Sequence, residues 1–295
     1  ATVVWQKDSP LTLLVQNRRQ TEHLILSVDT STGKTRVVHS EKDTAWVNLD
    51  QSVPRWINKG AAFLWSTERA GAWQLELRSK DGALLHTLTA PQDGYRQLLS
   101  VDEKAGRVFI SASRTATDAH IAWVGLSGKK AVSWLTRDKG QHGAVFSRSH
   151  ERYVLSSYLE TGAIGYTVRQ VSGEQLASVG SVAEKPPFAP NLEFLKVGDK
   201  GQFSSLLIRP RLFQKGRKYP VIVYVYGGPH YRVVKHNPAR YLIQQWLADH
   251  GFIIAMIDGR GTPYAGREWE RVIKGNLVDH QLEDQVAGLK DLGAK

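Results

Sequence analysis

The 295-residue sequence contains no cysteine. That excludes a disulfide framework, a thiolate metal centre and a cysteine nucleophile, but leaves the compartment open, because cysteine-free proteins occur on both sides of a membrane. Met256 is the only methionine, so Ala1 is expected to be a processed terminus or a cut through a longer protein. Residues 1–10 lack the basic start and apolar run of a signal sequence. No apolar run approaches the ~20 residues that span a bilayer. The longest, around residues 251–257, is strand-sized, and no membrane span is expected. Acidic residues are short, at 28 against 39 Lys and Arg, for a net charge of +11. The surplus is spread along the chain, with 22 basic against 17 acidic residues in 1–180 and 17 against 11 in 181–295. There is no run of five basic residues, so the excess reads as a solvated surface and no nucleic-acid partner is expected. With 41% hydrophobic and 23% charged residues, the composition is that of a globular chain long enough for two cores.

What is present first is a repeat. Turn glycines recur at Gly33, Gly82, Gly128 and Gly173, separated by 49, 46 and 45 residues. Each follows two alternating apolar segments, such as 11–15 and 24–28 or 61–65 and 73–77, and precedes a third, such as 84–85. Three or four short strands per unit at a period of ~40 to 50 residues indicate β-propeller blades. The competing reading is a large sandwich with coincidentally even spacing. Four units are visible, and further blades upstream are expected.

From Pro187 the pattern changes. Residues 191–197 and 202–208 read as a hairpin, and 219–226 as an apolar strand buried on both faces. A helix follows, with Asn237 as cap, Pro238 in the first turn, Leu242 and Trp246 on one face with Ile243 and Leu247 beside it, and Gly251 as stop. Residues 252–257 form a second buried strand. Leu282, Val286 and Leu289 mark the inner face of another helix, with Gly293 just past its end. Alternating strands and helices define an α/β sheet. The expected division is therefore blades over 1–182 and an α/β region over 183–295.

Chemistry concentrates where the first of these strands runs into Tyr226-Gly227-Gly228-Pro229-His230. In α/β-hydrolases the loop at this place supplies part of the oxyanion hole, since glycines let donors approach developing negative charge. Tyr226 would place a phenol donor there. A tight turn beside a packed aromatic is the plainer reading. Asp279, His280, Glu283 and Asp284 stand at helical spacing that could hold a metal, although a solvated helix face accounts for them, and no metal or other cofactor is expected. His230 and His236 read as loop histidines.

These residues resemble a known family. Tyr-Val-Tyr226-Gly-Gly-Pro-His, then Asp258-Gly-Arg260-Gly261, Gly266-Arg-Glu-Trp269 and Glu283-Asp284-Gln285 are similar to the dipeptidyl peptidase IV branch of the prolyl oligopeptidase family, bacterial type. Upstream, Asp43-Thr-Ala-Trp46 and the stretch Phe63 to Arg69 resemble entries into late blades. The resemblance implies all-β propeller blades, about four of eight, as the C-terminal half of a propeller, followed by the beginning of an α/β-hydrolase domain. It implies a serine exopeptidase that removes dipeptides with proline or alanine second, acting on peptide substrates, with Tyr226 in the oxyanion hole and Asp258 with Arg260 as a structural ion pair. A homodimer of the full-length protein and a periplasmic or secreted location are further expectations.

The departures bear on activity. No Gly-x-Ser-x-Gly elbow occurs at a strand-to-helix turn: residues 124–128 belong to a blade hairpin, and 201–205 have the wrong spacing. The nucleophile is expected shortly after Lys295 and the paired glutamates that hold a substrate amino terminus before Ala1, so the chain reads as a middle piece, inactive by itself. Two other readings remain open: a peptide-binding scaffold with an inactive hydrolase-like domain, and an acylaminoacyl or endo-acting relative.

Overall fold

The computed structural model describes residues 1–129 and 131–294. Lys295, the last residue of the expected second region, lies outside the described residues.

Among the described residues, twenty strands form five four-stranded sheets. The first four are antiparallel meanders in chain order, and the sandwich reading is thereby set aside. Blade one comprises β1 (Thr2–Val4), β2 (Thr12–Gln16), β3 (Glu22–Val28) and β4 (Thr35–Lys42). Blade two holds β5 (Arg55–Ile57), β6 (Ala62–Thr67), β7 (Gln74–Ser79) and β8 (Leu84–Thr87). Blade three holds β9 (Tyr95–Asp102), β10 (Arg107–Ala112), β11 (His120–Gly125) and β12 (Ser133–Trp134), and blade four β13 (Gly140–Phe146), β14 (Arg152–Leu159), β15 (Ile164–Gln170) and β16 (Gln175–Val179). Each repeat glycine sits in the last hairpin of its blade with positive φ: +72° at Gly33, +88° at Gly82, +68° at Gly128 and +104° at Gly173. Those turns need a left-handed residue, which glycine supplies without a Cβ penalty.

The fifth sheet has the order β17 (Leu192–Val197), β18 (Phe203–Ile208), β20 (Ile253–Asp258), β19 (Val221–Tyr224). Only the β19–β20 pair is parallel. The helices are α1 (Leu242–Asp249), α2 (Arg267–Arg271) and α3 (Asp279–Ala294). None of the described helices is long and apolar enough to cross a membrane.

By compactness the chain forms two units: Ala1–Arg114 with Ile121–Trp134, and Thr115–His120 with Leu135–Lys295. The core of the first is built from strand residues such as Leu14, Ile25, Phe63, Leu64, Leu75, Val108 and Ile110. Both core indoles are matched: Trp56 Nε1 donates to Thr12 Oγ1 at 2.9 Å and Trp65 Nε1 to Glu41 at 3.0 Å. In the second unit Leu206, Ile208, Val234, Tyr241, Ala248, Ile254 and Met256 pack between the sheet and α1, and Val197, Phe203 and Ile257 meet Leu289 and Leu292 of α3.

Four sequence expectations fail here for physical reasons. β19 is not buried on both faces among the described residues, where it stands last in the sheet order with Val221 and Tyr224 exposed. Asn237 makes no side-chain cap, and the helix opens with a 3-10 turn at Pro238–Tyr241. The inner face of α1 is Gln245 and Ala248, while Ile243 and Trp246 point to solvent. On α3 the buried residues are Gln281, Asp284, Gln285 and Gly288; Leu282 and Val286 are 59% and 42% exposed, and the helix runs through Gly293 to Ala294.

Candidate active site

β19 ends at Tyr224, and the chain leaves it through Val225, Tyr226 and the two glycines. Gly227 has φ +65°, a turn that a side chain would strain, and a Cβ there would collide with the amide of Gln281. That amide fixes the loop: Gln281 Nε2 donates to the Gly227 carbonyl and, at 2.9 Å, to the Arg260 carbonyl. Tyr226 folds over the second glycine, so that a Cβ on Gly228 would lie 2.9 Å from Tyr226 Cε1. Its ring meets Tyr231 edge-on at 5.5 Å between centroids. Tyr231 is itself held, with its hydroxyl 2.6 Å from Arg240 and the Lys235 ammonium 4.4 Å from its ring. Tyr226 is 49% exposed, and its hydroxyl has no hydrogen-bond partner among the described residues. The loop thus offers a free phenolic donor on a turn whose backbone is pinned from behind.

The segment after the turn is anchored from the next strand. Asp258, at the end of β20, accepts the backbone N–H of Val233 and Val234 at 3.0 and 2.9 Å, with the Arg232 guanidinium 3.3 Å away. Arg232 also donates to Thr262 Oγ1 and the Pro263 carbonyl, both at 3.1 Å. Burial pushes the Asp258 carboxyl up from its ordinary value, against the pull of Arg232 and the two N–H groups. Tyr241, its hydroxyl also raised by burial, accepts from Lys235 N–H and donates to the Val233 carbonyl, each at 2.8 Å.

The expected Asp258–Arg260 ion pair does not form. Asp258 belongs to Arg232, and Arg260 reaches α3, where it meets Asp284 at 2.7 Å and Glu283 at 2.8 Å. The hydrogen bonds that Arg260 donates to Asp284 are the main reason that its pKa is raised. Asp284 also accepts the Arg260 N–H at 2.6 Å, and Gln285 Nε2 donates to the Ile257 carbonyl at 2.9 Å. One polar face of α3 therefore satisfies backbone groups at three places: the Gly227 turn, the end of β20 and the turn after it. The Asp279, His280, Glu283, Asp284 group is organised around this work: Asp284, Glu283 and His280 face Arg260, and Asp279 accepts from Asn276 at 2.7 Å. Among the described residues no cluster has metal-holding geometry.

Of the two loop histidines, His236 is placed by Asp118, whose carboxylate lies 2.6 Å from its Nδ1, and by Phe194, edge-on at 4.6 Å. Neither it nor His230 is brought to Tyr226 by any described contact. The residues that sequence reasoning missed are Gln281 and Arg232. No sequence signal marked Gln281; its place shows only in the fold, where a Cβ on Gly261 would stand 2.6 Å from Gln281 Nε2.

The family description "Dipeptidyl peptidase IV (DPP IV) N-terminal region" matches residues 1–163, and "Prolyl oligopeptidase family" matches 239–295. The chain belongs to the dipeptidyl peptidase IV branch of the prolyl oligopeptidase family. It is 26% identical to "Probable dipeptidyl-aminopeptidase B" of Aspergillus clavatus across 99% of the chain and 34% of that protein, and 25% identical to the Aspergillus terreus protein of the same name over the same shares. The crystal structure of Porphyromonas gingivalis dipeptidyl peptidase 4 superimposes with a TM-score of 0.85 at 20% identity, over 97% of this chain and 41% of that one. The chain spans about a third of the length of the curated relatives it matches.

Proposed function

We propose that this chain is the blade and oxyanion-loop portion of a serine-type dipeptidyl peptidase, which removes N-terminal dipeptides with proline or alanine in second place through an acyl-enzyme. The observation that carries this reading is the Tyr226 hydroxyl, unpartnered and exposed beside a glycine turn whose carbonyl is clamped by Gln281. A donor held in this way needs little reorganisation when negative charge develops on a carbonyl oxygen, which is what oxyanion stabilisation requires. The names and fold of the relatives support the substrate class. Nucleophile, base and acid are supplied from outside these residues, in keeping with the missing serine elbow.

Replacement of Tyr226 by phenylalanine in the full-length enzyme, with kcat and KM measured on an Ala-Pro arylamide, tests the reading. The chain by itself is expected to show no hydrolysis and no labelling by a serine-directed phosphonate. Labelling of a serine within these residues, with loss of an activity, would overturn the assignment.

A further inference from the structure

Between Asp199 and Asp249 the sequence holds nine Lys and Arg and no carboxylate. Five of the nine fall in the loop that joins β18 to β19: Arg209, Arg211, Lys215, Arg217 and Lys218. Two of these are neutralised from neighbouring elements, Arg209 by Glu193 of β17 and Arg211 by Asp249 of α1 at 2.7 Å. The other three face no carboxylate among the described residues; Arg217 lies 5.2 Å above the Tyr219 ring. Residues 211–218 are all exposed, and Leu212 is 89% exposed at the head of the same loop, with Phe213 stacked on Tyr219 behind it.

We propose that residues 211–218 form a peripheral docking site for an anionic lipid bilayer surface. The loop is built to hold a shape. The N–H of Phe213 closes on the Pro210 carbonyl at 3.1 Å and that of Arg217 on the Gln214 carbonyl at 3.2 Å, which makes two successive tight turns. Gln214 N–H goes to the Tyr219 hydroxyl at 3.0 Å, and Arg211 N–H to Asp249 at 2.9 Å. The base is tied to α1 through Gln245, which donates to the Arg209 carbonyl at 3.0 Å. The charged tip therefore sits on a fixed platform.

These same bonds select the partner. An extended acidic peptide docks by pairing with a free strand edge or by entering a groove, and residues 211–218 form no strand: Phe213 and Arg217 N–H close tight turns, while Arg211 and Gln214 N–H are taken by Asp249 and Tyr219. A bilayer needs neither. It offers phosphate charge over a plane, which three cations within four residues can meet together, and an interfacial zone that takes an exposed leucine. Each cation near such a surface contributes about fivefold to binding, so the three contribute on the order of 10²-fold. One apolar residue adds a modest increment, and attachment is reversible.

Flotation of the chain with phosphatidylcholine vesicles, with and without phosphatidylglycerol, tests this. The expected result is binding only where phosphatidylglycerol is present, falling steeply as salt is raised. The triple variant Lys215→Ala, Arg217→Ala, Lys218→Ala should lose about 10²-fold of that affinity, and Leu212→Ser a smaller, salt-independent share. A control triple of equal charge in blade one, Arg18→Ala, Arg19→Ala, Lys34→Ala, should bind as the parent does. If the control weakens binding as much as the loop triple, diffuse net charge is responsible and the proposal falls. Binding to polyglutamate that depends on the loop, without binding to vesicles, would replace the lipid surface with an acidic protein partner and overturn it too.

Discussion

His236 Nδ1 lies 2.6 Å from the Asp118 carboxylate, so the loop that follows the Gly-Gly-Pro turn is bonded to the connection between β10 and β11, which also meets the start of the fourth blade at Gly140. Asp118 is further held by Thr115 Oγ1 at 2.7 Å and the Gly140 N–H at 3.0 Å, and the His236 N–H reaches the Thr117 carbonyl at 3.1 Å. Glu160, just past β14, stands 3.6 Å from the other imidazole nitrogen.

This contact predicts a measurable loss on truncation. Hydrogen bonds to charged groups contribute about 1.5–3 kcal/mol each, and both side chains are largely buried. His236→Ala should lower the stability of the second unit by about that amount in urea denaturation. A change within about 0.5 kcal/mol, as for an ordinary surface substitution, would show that the contact does not contribute.

The pH dependence has a definite sign. Burial, the largest influence, pushes the Asp118 carboxyl up, but hydrogen bonds from His236 and Thr115, the His236 charge and the Gly140 N–H together hold it below 3.8. A carboxyl depressed on folding adds stability above its unfolded value and loses it as pH falls through the folded one. Asp118→Asn should therefore cost most near neutrality, and the gap to the parent should shrink below pH 3.8. A gap that stays constant across that range would contradict the assignment.

Repeat-equivalent glycines should differ in cost. Gly33 and Gly82 occupy the same hairpin of successive blades with similar positive φ, yet a Cβ at Gly33 meets nothing within 4 Å, while one at Gly82 would fall on the Val38 carbonyl. Gly33→Ala should cost about 1–2 kcal/mol, the left-handed penalty alone. Gly82→Ala should add a packing cost of about 1–3 kcal/mol. Equal shifts in melting temperature would show that the approach of Val38 relaxes freely.

The blades were legible because one requirement, a left-handed turn residue at the last hairpin, recurs at a near-constant interval. The α/β region was less so. The faces of α1 and α3 were assigned from Leu, Val and Trp at helical spacing, but their buried sides carry Gln245, Gln281, Asp284 and Gln285, which serve backbone groups at strand ends. Hydropathy cannot register a helix whose inward face is selected by hydrogen bonds. The apolar run of β19 likewise states what the strand could bury, not which neighbours it has: among the described residues it pairs with β20 alone. Tyr226 was legible from Gly-Gly-Pro; the clamp on Gly227, fifty-four residues further along the chain, was not.

The re-partnering of Asp258 is testable in its own right. Asp258→Asn leaves Arg232 buried without a counter-charge, and breaking a buried pair from one side costs about 3–5 kcal/mol. Arg260→Ala should leave that pair intact. A double-mutant cycle should therefore show strong coupling between positions 258 and 232 and near-additivity between 258 and 260. Coupling between 258 and 260 of more than about 0.5 kcal/mol would restore the pairing that the sequence suggested.

Tyr226→Phe bears on the proposed chemistry. The phenylalanine ring keeps the contact with Tyr231 and loses only the hydroxyl, so fold stability should be unchanged. If the hydroxyl donates to the oxyanion and not to the ground-state carbonyl, kcat falls and KM stays near the parent value, since only an interaction gained in the transition state accelerates the chemical step. Removal of one such donor costs about 2.7–4 kcal/mol, or roughly 10²–10³ in rate. Gln281→Ala, which frees the Gly227 carbonyl and leaves the phenol in place, should lower kcat by a smaller factor, because the donor is then held less firmly. If Tyr226 is instead a packing residue, the order reverses: Tyr226→Phe is silent in steady-state kinetics and only Tyr226→Ala matters, through a lower melting temperature. A kcat for Tyr226→Phe within about threefold of the parent, far from the 10²–10³ expected of a lost oxyanion donor, would remove Tyr226 from the active site.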